Sequence, residues 1–150
     1  MEWPKIHIPL HPIKSRNNSS NEAEIWDHWR QKYVAGTPEE WVRQQVLHWL
    51  VREFHYPSGR IMVEAMVKGL KRNRRLDALV LDAKGCPYML IEIKAPSVPL
   101  SNQTFLQAAH YNSQIKAPYL LVSNGMQTFV AKTFEGHFEF CQEIPKAPRT

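Results

Sequence analysis

Cysteine is close to absent. Cys86 and Cys141 are the two in 150 residues; they match no zinc or redox spacing, and two thiols are too few for a secreted disulfide scaffold. A reducing cytoplasm is the expected compartment. Long apolar runs are missing too: the N-terminus, MEWPKIHIPLHPIK, is interrupted by prolines and histidines, which excludes a signal peptide or a membrane span there. No repeat or low-complexity tract occurs. Acidic residues are outnumbered, 14 against 19 Lys and Arg, for a formal charge of +5, so anionic partners stay open, nucleic acid first among them. What is present, 43% apolar residues beside 22% charged ones, is the composition of a globular domain and neither a disordered nor a membrane-embedded chain. A domain of this size buries roughly 68–70% of its unfolded surface, enough for a core without staples.

Residues 1–20 read as an N-terminal arm, prolines followed by the polar run SRNNSSNE, and carry no chemistry. A single domain over 21–143 and a frayed tail over 144–150, PKAPRT at its end, are expected. From Glu22 to Tyr33, helix formers with Trp26 and Trp29 predict a short helix or helical turn ended by Gly36. Thr37 is then a good N-cap, Pro38 a good first helical residue, and Glu39 and Glu40 suit the helix dipole. Val42, Val46, Trp49 and Leu50 form a core stripe running to about His55, where Tyr56-Pro57-Ser58-Gly59 breaks it. Strands are predicted over 61–69, from about Arg75 to Asp82, and through PYMLIEIKA to Ala95, an antiparallel meander with Lys84-Gly85 as a turn. A helix over 101–117 follows, closed by Pro118, and two or three further strands with turns at Asn124-Gly125 and Glu135-Gly136 complete the chain.

The third strand alternates, placing Tyr88, Leu90, Glu92 and Lys94 on one face and Met89, Ile91, Ile93 and Ala95 on the other. If Lys84-Gly85 centres a tight hairpin, the register sets Asp77 directly across from Glu92. Facing carboxylates, roughly 4.5–5.5 Å apart at Cβ, repel unless one is protonated or a cation lies between them. A hard divalent ion such as Mg²⁺ is the natural resolution. In isolation, Asp77 and Glu92 read more readily as ordinary surface acids, with Lys94 and Arg75 making solvated ion pairs. The apolar flank MLIEIKA argues instead for an ordered, partly buried position. On the next helix Gln107 and Tyr111, four apart, share a face, with Gln103 one turn earlier, and an amide and a phenol there can orient a phosphate or a bound water.

This run, Asp77, then Glu92-Ile93-Lys94, then Gln107-x-x-x-Tyr111, resembles the PD-(D/E)xK nuclease signature in its RecB-like form with the QxxxY extension. It is most similar to the N-terminal nuclease domain of type I restriction enzyme restriction subunits, through TPEEWVRQ, VEAMV, RRLDALV, IEIKAP, QAAHYN and YLLVSNG over residues 37–125. The resemblance implies an α/β restriction-endonuclease-like core, a central mixed sheet flanked by helices in αβββαβ order. It implies that Asp77, Glu92 and the main-chain carbonyl of Ile93 hold Mg²⁺, with Mn²⁺ as a substitute. By the same resemblance Lys94 would position or activate the attacking water and stabilise negative charge on the phosphorane, and Gln107 and Tyr111 would order the site from the neighbouring helix. Glu40 resembles the family's helix-borne carboxylate, with Glu39 as its rival from spacing; Glu64 faces either cleft or solvent. The implied reaction is in-line hydrolysis of a DNA phosphodiester with the metal as Lewis acid and water activator. The sequence departs from the restriction subunits in having no Gly-x-x-x-x-Gly-Lys-Ser/Thr loop, which excludes ATP-driven translocation by this polypeptide alone.

Lys68, Lys71, Arg72, Arg74 and Arg75 cluster just before Asp77. They read either as a solvated loop or as the contact surface for backbone phosphates. The histidine pairs His48/His55 and His7/His11 lack a third ligand at zinc spacing and are expected to be packing or surface residues. His110 is expected to point about 100° from its neighbour Tyr111. Two functions remain: a Mg²⁺-dependent nuclease acting on DNA, alone, as a homo-oligomer or recruited by another protein, and an inactive nucleic-acid-binding or scaffold module of the same fold.

Overall fold

The computed structural model describes residues 2–63, 76–135 and 137–149. Its N-terminal part holds a three-stranded antiparallel sheet of β1 (Ser15–Asn17), β2 (Ala23–Asp27) and β3 (Lys32–Ala35). The helix expected between Glu22 and Tyr33 is therefore corrected to a β-hairpin. The run AEIWD alternates, with Ile25 and Asp27 fully buried, and so few residues cannot separate period 2 from period 3.6. The turn after β2 is held by Asp27, whose Oδ1 accepts from the backbone N–H of Trp29 and of Arg30 at 2.8 and 3.0 Å. Gly36 passes close to its neighbours rather than ending a helix. A Cβ there would stand 2.8 Å from the Trp3 ring and 3.0 Å from the Ala23 carbonyl.

Helix α1 (Pro38–Phe54) starts as expected, with Thr37 Oγ1 accepting from Glu40 N at 3.1 Å, and ends at His55 in the left-handed region. A 3₁₀ turn over Ser58–Arg60 leads into β4 (Ile61–Val63). The predicted first strand of the meander is described only that far. Glu64, Lys68, Lys71, Arg72, Arg74 and Arg75 lie outside the described residues. Strands β5 (Ala78–Leu81) and β6 (Pro87–Ile93), helix α2 (Asn102–Ile115), and strands β7 (Tyr119–Ser123), β8 (Thr128–Phe134) and β9 (His137–Phe140) complete the chain.

The second sheet has the order β4-β5-β6-β7-β8-β9, antiparallel throughout except between β6 and β7. That one parallel pair needs a crossover, and α2 supplies it. The sheet is thus mixed and buried on both faces. Val46, Leu47 and Leu50 of α1 pack with Met89, Ile91 and Ile93 on one face, while Phe105 and Ala108 of α2 pack with Leu79, Leu90 and Leu120 on the other. The alternation of β6 creates both interfaces at once.

The ends of the chain lie against this core. Trp3 stacks on Trp41 with ring centroids 4.8 Å apart, His7 N donates to Gly125 O at 2.7 Å, and Ile8 is buried. The Gln45 amide grips the His11 backbone from both sides, accepting from its N–H and donating to its carbonyl. The tail read as frayed is seated as well: Tyr56 Oη donates to Pro145 O at 2.8 Å, and Ile144 and Ala147 pack on the α1 side of the sheet.

Candidate functional site

The register of β5 and β6 brings two acids together. Ala78 pairs with Ile91, Leu79 with Leu90 and Val80 with Met89, and one further step along that ladder sets Asp77 opposite Glu92. The connection is looser than a two-residue hairpin. A bulge lies between Val80 and Leu81, Asp82 Oδ1 accepts from the backbone of Lys84 and Cys86, and Gly85 takes the positive φ the turn requires. The bulge absorbs the extra residue, so the register toward Asp77 is kept.

Asp77 is buried, and each of its oxygens is held. Oδ2 accepts from the Ile93 N–H at 2.7 Å and Oδ1 from Arg43 Nη2 at 2.7 Å. Burial raises its pKa, opposed by the Ile93 hydrogen bond and by the charges of Arg43 and Lys94. Glu92 is pushed up to about 7, first by burial and then by the Asp77 charge, with Lys94 opposing. Lys94 Nζ lies 3.3 Å from Glu92 Oε1. A carboxylate offers about four acceptor positions and Asp77 uses two, so the pair retains hard oxygen lone pairs of the kind that suits Mg²⁺ or Mn²⁺. A residue's N–H and C=O leave an extended strand on the same side, which turns the Ile93 carbonyl toward Asp77 as well. The donor chemistry therefore fits a divalent cation, although among the described residues no group of three or more His, Cys, Asp or Glu is arranged to hold a metal ion.

The two acids of the first turn of α1 have different surroundings. Glu39 is exposed, and its pKa is raised by burial of part of the group and by Asp77, with Lys94 opposing. Glu40 is buried in an ion network: Oε1 accepts from Arg43 Nη1 at 2.8 Å and from Arg30 Nη2, and Oε2 from Gln44 Nε2 at 3.2 Å. Glu40 thus reaches Asp77 through Arg43, while Glu39 shares the electrostatic field of Asp77 and Lys94.

Across from Glu92 and Lys94, α2 forms the wall of a cleft of about 470 Å³ lined by Gln103, Gln107, His110 and Tyr111. His110, expected about 100° around the helix from Tyr111, lines the cleft as well. It lies three residues after Gln107 and seven after Gln103, and so joins their stripe. Arg43 is the second residue that sequence reasoning missed. Its only local signal is a position three after Glu40, within a helix whose neighbouring residues are core.

His11 and His48 stack with ring centroids 4.5 Å apart, and His48 is pushed down to about 4 by burial and by His11, His28 and Arg52. This packing role is the one expected of them. Cys86 and Cys141 are free thiols, and among the described residues no helix is long and apolar enough to cross a membrane.

No curated protein matches the chain. A family model described as the type I restriction enzyme R protein N terminus matches residues 38–145, from the start of α1 to the docked tail and across both faces of the mixed sheet. A mixed α/β architecture with a match over most of its length places this chain in that family: it belongs to the type I restriction enzyme R protein N-terminal domains.

Proposed function

We propose that the chain is a divalent-cation-dependent nuclease of the PD-(D/E)xK type with a restriction-endonuclease-like core, hydrolysing DNA phosphodiester bonds. The observation that carries this reading is the convergence of Asp77, Glu92 and Lys94 at one end of β5 and β6, with Glu92 and Lys94 lining a cleft walled by Gln107 and Tyr111 and Asp77 held behind them by Arg43 and the Ile93 N–H. Asp77, Glu92 and the Ile93 carbonyl would hold the cation. When bound, Mg²⁺ or Mn²⁺ supplies Lewis acidity toward phosphate oxygen and lowers the pKa of water. The Lys94 ammonium orients the attacking water and offsets negative charge developing on the phosphate oxygens. Glu92, whose pKa burial and Asp77 push up to about 7, would serve as a ligand in its ionised form. Gln107 and Tyr111 fix the phosphate and water from α2, and Glu40 braces the site through Arg43. Lys68, Lys71, Arg72, Arg74 and Arg75 neutralise the DNA backbone on approach.

One observation favours a second reading, a module that binds nucleic acid without cleaving it. Both Asp77 oxygens are engaged within the chain, and no third acid forms a metal cluster with Asp77 and Glu92 among the described residues. Cleavage of supercoiled, linear and single-stranded DNA in Mg²⁺ or Mn²⁺ separates the two. Asp77→Ala and Lys94→Ala are each expected to lose at least about a hundredfold in rate, the scale of losing a key electrostatic group. Unchanged rates in both variants reject the site; DNA binding with no cleavage by the unaltered chain establishes the second reading.

A further inference from the structure

A buried chain of alternating charges runs from the N-terminal sheet to Asp77. Asp27, at the end of β2 and fully buried, accepts from Arg30 Nε through Oδ2. Arg30 Nη2 donates to Glu40 Oε1, the same oxygen that accepts from Arg43 Nη1 at 2.8 Å, and Arg43 Nη2 donates to Asp77 Oδ1 at 2.7 Å. Each guanidinium is a planar fork bridging two carboxylates, so the direction of one constrains the next. Every carboxylate in the chain is buried, where such hydrogen bonds are little screened and not easily exchanged for water.

We propose that Asp27 and Arg30 are positioning residues for the divalent-cation site, holding the Asp77 carboxylate in its binding orientation through Glu40 and Arg43. The β2–β3 turn is then a working part of the site although it touches neither the cleft nor the cation. This proposal rests on the reading of Asp77 and Glu92 as cation ligands. The chemistry gives it a distinctive sign. Removing the Arg30 charge deepens the negative potential around Asp77 and Glu92, so a purely electrostatic role would make cation binding tighter. A positioning role makes it weaker, because Asp77 loses the orientation of its fork.

Calorimetric titration of Mn²⁺ into the full chain reads this without any assay of cleavage. Arg30→Gln is expected to weaken Mn²⁺ binding by about tenfold, the lower end of what a residue bonded directly to a metal ligand contributes, because Arg30 acts on Asp77 only through Glu40 and Arg43. Arg16→Ala, which breaks the exposed ion pair with Glu24 in the same sheet, is expected to leave the affinity unchanged. Unchanged or tighter binding by Arg30→Gln overturns the proposal, as does an equal loss in Arg16→Ala, which would mark a general effect of loosening the sheet. If Arg30→Gln does not fold, Arg30→Lys keeps the charge but loses the planar fork: weaker Mn²⁺ binding supports the proposal and wild-type affinity overturns it. Loss of Mn²⁺ binding in Glu92→Gln with none in Arg30→Gln would refute the positioning role alone. No Mn²⁺ binding by the unaltered chain would refute it together with the ligand reading.

Discussion

Glu92 sits where two demands compete. Burial and the neighbouring Asp77 charge favour its neutral form and raise its pKa to about 7, while Lys94 at 3.3 Å pulls the other way and does not win. The sign of the linkage follows. Between the ordinary carboxylate range and about pH 7 the folded chain holds a proton at Glu92 that the unfolded chain has released, so folding stability falls as pH rises through that window. The full effect is about 3 kcal/mol. Glu92→Gln is therefore expected to be more stable than the unaltered chain at pH 8 and nearly equal to it at pH 4.5, measured by urea denaturation. Because a divalent cation favours the ionised carboxylate, Mg²⁺ should raise the melting temperature of the unaltered chain more at pH 8 than at pH 5.5. Equal shifts at the two pH values would argue against Glu92 as a ligand.

At the scale of elements, α1 does three jobs. Val46, Leu47 and Leu50 bury one face of the sheet, Glu40 and Arg43 carry charge to Asp77, and Gln45 and Trp41 hold the N-terminal arm, the indole Nε1 donating to Pro4 O at 3.2 Å. The arm also reaches the β7–β8 turn, where Gly125 has φ +83 and a Cβ would stand 2.7 Å from Ile6 Cγ2. Gly125→Ala is expected to cost about 1–3 kcal/mol from backbone conformation, with further loss from the Ile6 contact. Denaturant unfolding measures the cost, and limited proteolysis should cut the arm first. Most of the helices and strands were legible locally: the Thr37-Pro38 start, the Ser101 cap of α2 and the β5–β6 register each depend on residues close in the chain. The β2–β3 hairpin was not, because its five-residue alternation is too short to outvote helix propensity. What holds it is Asp27, paired to an arginine whose other partner lies on α1.

For the whole molecule, the excess of basic residues becomes a prediction about salt. If the five cations Lys68, Lys71, Arg72, Arg74 and Arg75 each neutralise one phosphate, the logarithm of DNA affinity falls with the logarithm of salt with a slope of about −4.5. Replacing Lys71, Arg72 and Arg74 by Gln should make that slope shallower by about one unit per contact removed, read by fluorescence anisotropy from 50 to 200 mM salt. An unaltered slope would move the DNA contact to another surface.

Alternation and turn chemistry, which act over a few residues, determined in the sequence itself that Asp77, Glu92 and Lys94 share one end of a hairpin and that Gln107 and Tyr111 share a helix face. The tertiary structure alone decided that Arg43 bridges Glu40 to Asp77, that His110 joins the cleft wall, and that a turn fifty residues earlier than Asp77 is wired to it. Those features depend on which elements pack together. Polar residues such as Arg43 and Gln44 look like surface positions until burial forces each of them to find a partner.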